Sequence, residues 1–84
     1  MIKIYTKPDC PWCVKAKEVL NTHNIPFKEI VIGEDVTRSW VLEAFPQMRT
    51  VPIILDNNRM IGGYTNLVEE LGTNKYLGNA LILG

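Results

Sequence analysis

The sequence predicts an α/β domain: a four-stranded mixed sheet flanked by three helices. Three observations predict it. Strand-patterned and helix-patterned segments alternate in the order β-α-β-α-β-β-α, with no linker or repeat between them. The first two strands are joined through a helix, a crossover that makes them parallel, whereas the last two are joined by a turn and pair antiparallel. The chain has 84 residues, 46% hydrophobic and 21% charged, the balance of one small globular domain rather than of a disordered segment.

Each element has its own signal. Residues 2–6, Ile-Lys-Ile-Tyr-Thr, form an apolar run that reads as a strand. Residues 11–23 read as a helix whose buried face carries Cys13, Ala16, Val19 and Leu20 and whose outer face carries Lys15, Glu18 and Asn21. Asn24 and Pro26 stop it, and residues 27–31 form the second strand. A turn at 33–35 precedes a helix running to about residue 45, with Trp40, Val41, Ala44 and Phe45 on one side and Pro46 closing it. Residues 51–55 make a compact strand. The cluster Asp56-Asn57-Asn58 turns the chain, and residues 59–61 pair back as a hairpin. Gly62-Gly63 leads into a last helix over 65–71, stopped by Gly72. The tail 73–84 is apolar at Leu77, Leu81, Ile82 and Leu83 but has no clean period, and reads as a packed or partly ordered C-terminal extension of a single domain spanning 1–84.

Charge and targeting signals narrow the function classes. Nine basic residues balance nine acidic ones, which gives no electrostatic footprint for nucleic acid or an anionic membrane. There is no apolar stretch of spanning length, and the chain starts in a strand pattern rather than a signal peptide. A cytoplasmic location is expected. In that reducing compartment a C-x-x-C is more often catalytic or metal-binding than a structural staple.

The only cysteines are in Cys10-Pro11-Trp12-Cys13. A strand that leads into C-x-x-C at a helix start is the redox-dithiol arrangement of a thioredoxin-like fold. A helix N-terminus leaves N–H groups unpaired and carries partial positive charge, so it favours a thiolate at Cys10. Pro11 fits the first helical position, where its missing N–H costs nothing. Cys13 lies one turn further in, within reach to close a small disulfide. The alternatives are two inert buried cysteines or part of a metal site. A closed zinc site needs about four ligands, and two cysteines plus the single His23 do not supply them, so no metal is expected. His23 falls near a helix end, where it complements the helix dipole, and is given no chemical role.

Over about residues 1–72 the chain resembles the glutaredoxins, small glutathione-dependent thiol–disulfide oxidoreductases, and among them the compact dithiol forms of bacteria and their viruses. The resemblance is carried by Thr6-Lys7-x-x-Cys10-Pro11-Trp12-Cys13, then Arg49-Thr50-Val51-Pro52, then Ile61-Gly62-Gly63-Tyr64-Thr65. It implies a thioredoxin-like fold, Cys10 and Cys13 as the catalytic pair, glutathione as co-substrate and disulfide-containing proteins as clients. Ribonucleotide reductase is a frequent client of such proteins, although nothing in this chain names it. A monomer is expected.

The resemblance also implies a glutathione site. Lys7 would favour the Cys10 thiolate and hold a glutathione carboxylate; the alternative is an exposed loop lysine. Trp12 stands where the family more often has tyrosine, and would wall the groove or simply cover the helix start. In Thr50-Val51-Pro52 the proline is cis in the family and leaves the backbone of Val51 free to pair with the cysteine of glutathione; the alternative is a proline starting an edge strand. Gly63, Tyr64, Thr65 and Asn66 would bind the γ-glutamyl end at a helix N-terminus, and Thr65 also reads as an ordinary N-cap. Asn66 replaces an aspartate common in the family, which keeps an acceptor and loses a charge. A further carboxylate contact from the second helix falls on Ser39 by simple counting, with Arg38 next to it.

Three other classes share the fold or the motif. A thioredoxin-type enzyme served by a flavoprotein reductase more often has Gly-Pro between its cysteines. A glutathione-assisted iron–sulfur module is disfavoured, by the same resemblance, through Pro11. A redox-inert domain would dock through the apolar tail.

Overall fold

A computed structural model of the chain describes residues 1–72; the extension expected at 73–84 lies outside the described residues. The elements are β1 (Ile2–Thr6), α1 (Pro11–Thr22), β2 (Phe27–Val31), α2 (Arg38–Ala44), β3 (Ile53–Asp56), β4 (Arg59–Gly62) and α3 (Tyr64–Gly72). The four strands form one sheet in the order β2-β1-β3-β4. β1 is central: Ile4 lies opposite Glu29 of parallel β2 and opposite Ile54 of antiparallel β3. β3 and β4 make the antiparallel hairpin, with a register shift between Ile54 and Leu55. The α/β class, the succession of elements along the chain and the mixed four-stranded sheet of a thioredoxin-like architecture are those the sequence predicts; the order of the strands across the sheet comes from the structure.

Alternation along the strands divides the core between the two faces of the sheet. Ile2, Ile4 and Ile54 point to one face and pack with Ala16 and Leu20 of α1 and Leu67 and Leu71 of α3. Tyr5 and Ile53 point to the other, beneath Val41 of α2, with Phe45 and Met48 packed alongside. Helices therefore cover both faces. Arg59 of β4 is ion-paired with Glu70, which ties the hairpin to α3. Among the described residues no helix is long and apolar enough to cross a membrane.

Several boundaries and faces differ from those predicted. α1 ends at Thr22, with His23 as C-cap donating its Nδ1–H to the Val19 carbonyl at 2.9 Å, and Asn24 takes the left-handed conformation that turns the chain out. β3 begins at Ile53 rather than Val51, because Pro52 has no N–H to give to a ladder. α3 begins at Tyr64, one residue early, so Thr65 sits inside the first turn and is not the N-cap. In α2 only Val41 is buried. Ala44 is exposed, and Trp40 is 47% exposed. A helix of seven residues covers too little of the sheet to bury four side chains; Trp40 instead lies at its margin, stacked on Tyr5 with ring centroids 6.1 Å apart.

Candidate active site

The loop between β1 and α1 is shaped to present a sulfur at a helix end. Asp9 adopts a left-handed conformation (φ 58°), and Cys10 follows in extended geometry as the N-cap of α1, with Pro11 at the first helical position. The Cys10 Sγ accepts the Cys13 N–H at 3.2 Å, the place where a capping oxygen would ordinarily sit. Both cysteines are free thiols, and both are buried, Cys10 7% and Cys13 2% exposed. Burial pushes the Cys13 thiol up to about 12, helped by its hydrogen bond with Cys10, while the Lys7 backbone and the Lys17 charge pull the other way. The two sulfurs are thus unequal: one caps a helix, the other lies in the core as a neutral thiol.

Three cavities surround this corner. The largest, about 700 Å³, holds both cysteines together with Thr6, Lys7, Asp9, Lys17, Glu29 and Glu34. A second, about 210 Å³, lies beneath α2 and brings Lys7, Arg38 and Arg49 around Thr50 and Val51. The third, about 380 Å³, runs from Trp12 past Thr50 and Val51 to Gly63, Tyr64, Thr65 and Asn66. Thr50 and Val51 line both of the smaller cavities, so one groove runs along this segment, with three cations at one end and the N-terminus of α3 at the other.

Every residue that the sequence predicts for the glutathione site lines this groove except Pro52, which is buried behind it. The Val51–Pro52 peptide is cis, and the Pro52 carbonyl lies 3.7 Å from where a Cβ on Gly63 would be. Trp12 is 53% exposed and meets Tyr64 with ring centroids 5.3 Å apart, so the two rings form one wall. The Lys15 ammonium sits 4.6 Å from the Trp12 ring centroid on top of it. Arg38 lines the cationic end of the groove and Ser39 does not. Asn66 Oδ1 accepts the Gly63 N–H at 3.0 Å, reaching back over the first turn of α3 as a capping side chain.

Sequence reasoning passes over several lining residues. Arg49 stands directly before Thr50 in one of the quoted motifs and was readable there as a third cation. Lys17, Glu29 and Thr6 were not readable as a group. Their contacts join α1, β2 and β1: Glu29 Oε2 accepts Thr6 Oγ1 at 2.7 Å and Lys17 Nζ at 3.0 Å. The only sequence signal is an acid placed in the middle of an otherwise sheet-forming segment.

Residues 2–61 match the glutaredoxin family model, more than half of the chain. The chain belongs to the glutaredoxin family. It is 38% identical over 63 residues to an uncharacterised glutaredoxin-like 8.6 kDa protein in the rubredoxin operon of Clostridium pasteurianum, covering 74% of this chain and 84% of that one. It is 32% identical over 66 residues to glutaredoxin 3 of Escherichia coli, covering 79% and 80%. The fold matches the crystal structure of glutaredoxin 1 from Francisella tularensis complexed with cacodylate, with a TM-score of 0.74, 35% identity, and coverage of 90% of this chain and 94% of that one. This glutaredoxin is accordingly a thiol–disulfide oxidoreductase, and its two thiols are free at the start of α1.

Proposed function

We propose that this glutaredoxin is glutathione-dependent: it reduces glutathionyl mixed disulfides and protein disulfides, with Cys10 as nucleophile and Cys13 as resolving thiol. The observation that carries the reading is the placement of Cys10 as N-cap of α1 beside Cys13, its sulfur already accepting the Cys13 N–H at 3.2 Å. In the glutathionyl route the Cys10 thiolate attacks the glutathione sulfur of a mixed disulfide. The S–S bond breaks, the client thiol leaves with a proton, and Cys10 carries the glutathionyl group. A second glutathione thiolate attacks that sulfur, releases oxidised glutathione and restores Cys10. In the dithiol route Cys13 displaces the client from Cys10, and glutathione later reduces the Cys10–Cys13 bond.

The groove fits the tripeptide in one direction. Lys7, Arg38 and Arg49 face its glycyl carboxylate, the Val51 backbone pairs with its cysteine, Trp12 and Tyr64 flank the chain, and Thr65 and Asn66 receive the γ-glutamyl end at the α3 N-terminus. We place the protein in the cytoplasm as a single-domain monomer, with glutathione and disulfide-containing proteins as partners, ribonucleotide reductase among the candidate clients, and no nucleic acid, membrane or metal.

The test is turnover of a glutathionylated peptide with glutathione, glutathione reductase and NADPH. The reading expects saturable NADPH loss that Cys10→Ser abolishes. No turnover by folded protein with two titratable thiols contradicts glutathione dependence.

A further inference from the structure

We propose that Lys17, held in place by Glu29 and Thr6, is the positioning residue for the resolving thiol, supporting ionisation of Cys13 and so setting the rate of the dithiol route alone. The inference rests on the division of labour between Cys10 and Cys13 argued above. Cys13 is 2% exposed in the first turn of α1, and attack on a mixed disulfide at Cys10 requires its thiolate. Lys17 follows four residues later, on the same face of the same helix, and lines the same cavity of about 700 Å³.

What distinguishes Lys17 from a surface lysine is its anchoring. Its ammonium is 3.0 Å from Glu29 Oε2, and that same oxygen accepts the Thr6 hydroxyl at 2.7 Å. The Thr6 and Lys17 contacts hold the Glu29 carboxyl below its usual range, so the anchor is ionised wherever the enzyme works. The other charged groups facing the cavity are Lys7 and Asp9 from the β1–α1 loop and Glu34 from the β2–α2 loop. Of the lysine side chains, Lys17 is the one whose charge acts on Cys13, opposing the burial that raises the thiol.

The step balances without another reagent. With a client held as a mixed disulfide on Cys10, the Cys13 thiol gives its proton to water in the cavity. Its electron pair forms the Cys13–Cys10 bond, the Cys10–client bond breaks, and the client sulfur leaves with that pair and takes up a proton. Two electrons pass from the dithiol to the client, and Lys17 is unchanged. The glutathionyl route never uses Cys13, so it is indifferent to Lys17.

The test compares full-length wild type, Lys17→Met, Lys17→Gln and Lys17→Arg, each checked for a cooperative thermal melt. Reduction of insulin disulfides by glutathione is expected to fall about tenfold in Lys17→Met and Lys17→Gln and to recover in Lys17→Arg, the effect of one unit in the Cys13 pKa. Turnover of a glutathionylated peptide stays within about twofold in all four, and in the Cys10→Ser background iodoacetamide alkylates Cys13 about tenfold more slowly at a given pH without the cation. Equal losses in the two activities, or alkylation of Cys13 that ignores Lys17, overturn the proposal. A wild type that turns over neither substrate instead refutes glutathione dependence, while the alkylation comparison still tests Lys17.

Discussion

Cys10 and Cys13 stand three residues apart on one helix start, yet the fold gives them opposite chemistry. The N-cap sulfur of Cys10 accepts a backbone N–H, whereas burial keeps Cys13 a neutral thiol, pushed up to about 12. Cys10→Ser is therefore expected to stop both routes, and Cys13→Ser to spare turnover of a glutathionylated peptide while losing most insulin reduction; the two coupled assays run side by side check it. The raised thiol has a consequence for stability as well. Between the ordinary cysteine value of about 8.5 and about 12, unfolding releases a proton that folded Cys13 keeps. The stability this contributes is present below the unfolded value and is lost as pH rises through that window. Denaturant melts of the reduced protein from pH 8 to 10.5 should show this decline, and Cys13→Ser should lack it. At this scale the sequence shows where the two sulfurs stand, at a helix start directly after a strand, because C-x-x-C in that setting is a local signal. It does not show Glu29 against Lys17 and Thr6, contacts that span 12 and 23 residues.

At the scale of elements, the N-terminus of α3 is the part of the groove most exposed to test. The chain enters it through Gly62, at φ 123°, where an added Cβ would come within 2.5 Å of Asn66 Oδ1. Gly62→Ala is expected to cost about 1–3 kcal/mol, from backbone strain and this clash together. Asn66→Ala removes the hydrogen bond to Gly63 and should cost about 1 kcal/mol while raising the KM for glutathione. Combining the two should cost less than their sum, because the shorter side chain at 66 makes room for the methyl; a double-mutant cycle by urea melts reads this coupling. The turn chemistry of Gly62-Gly63 was legible in sequence. The capping reach of Asn66 was not, since Thr65 is the better N-cap by residue type and only the backbone path from β4 places the cap at Gly63. The sequence pattern starts β3 two residues too early and ends it one too soon, at Leu55 rather than Asp56: Val51 and Pro52 continue its apolar run, and only the missing N–H of Pro52 separates them from the ladder.

Across the whole molecule, one central strand holds two half-cores together. Ile4 and Leu20, both fully buried, lie on the face covered by α1 and α3, and the active-site loop joins β1 directly to α1. Leu20→Ala should therefore cost about 2–5 kcal/mol, a large share of the total for a domain this small, and should depress activity only as far as it unfolds the protein. The parallel first pair and the antiparallel hairpin are legible because strand patterning and the crossover rule act over the whole chain, whereas the order of strands across the sheet and the face each helix takes are set by packing that no local pattern carries. The burial of α2 was not, since Trp40, Ala44 and Phe45 pattern as a face that a two-turn helix is too short to bury. Acid stability also belongs to this scale. Glu29 bridges β1, β2 and α1 as a carboxylate held below its usual range, so its contribution is present above the unfolded value and lost as pH falls through the folded one. Glu29→Gln should flatten that acid limb in melts between pH 3 and pH 6.

The central claim is that glutathione is taken up on Cys10 from this groove. Its most direct measurement is mass spectrometry of Cys13→Ser after exposure to oxidised glutathione, with peptide mapping and the same treatment of Cys10→Ser. The account predicts one glutathionyl group per chain on Cys10, removed by added glutathione, and no stable adduct in Cys10→Ser. A folded protein that leaves Cys10 unmodified, or that carries the group on Cys13 instead, would contradict it.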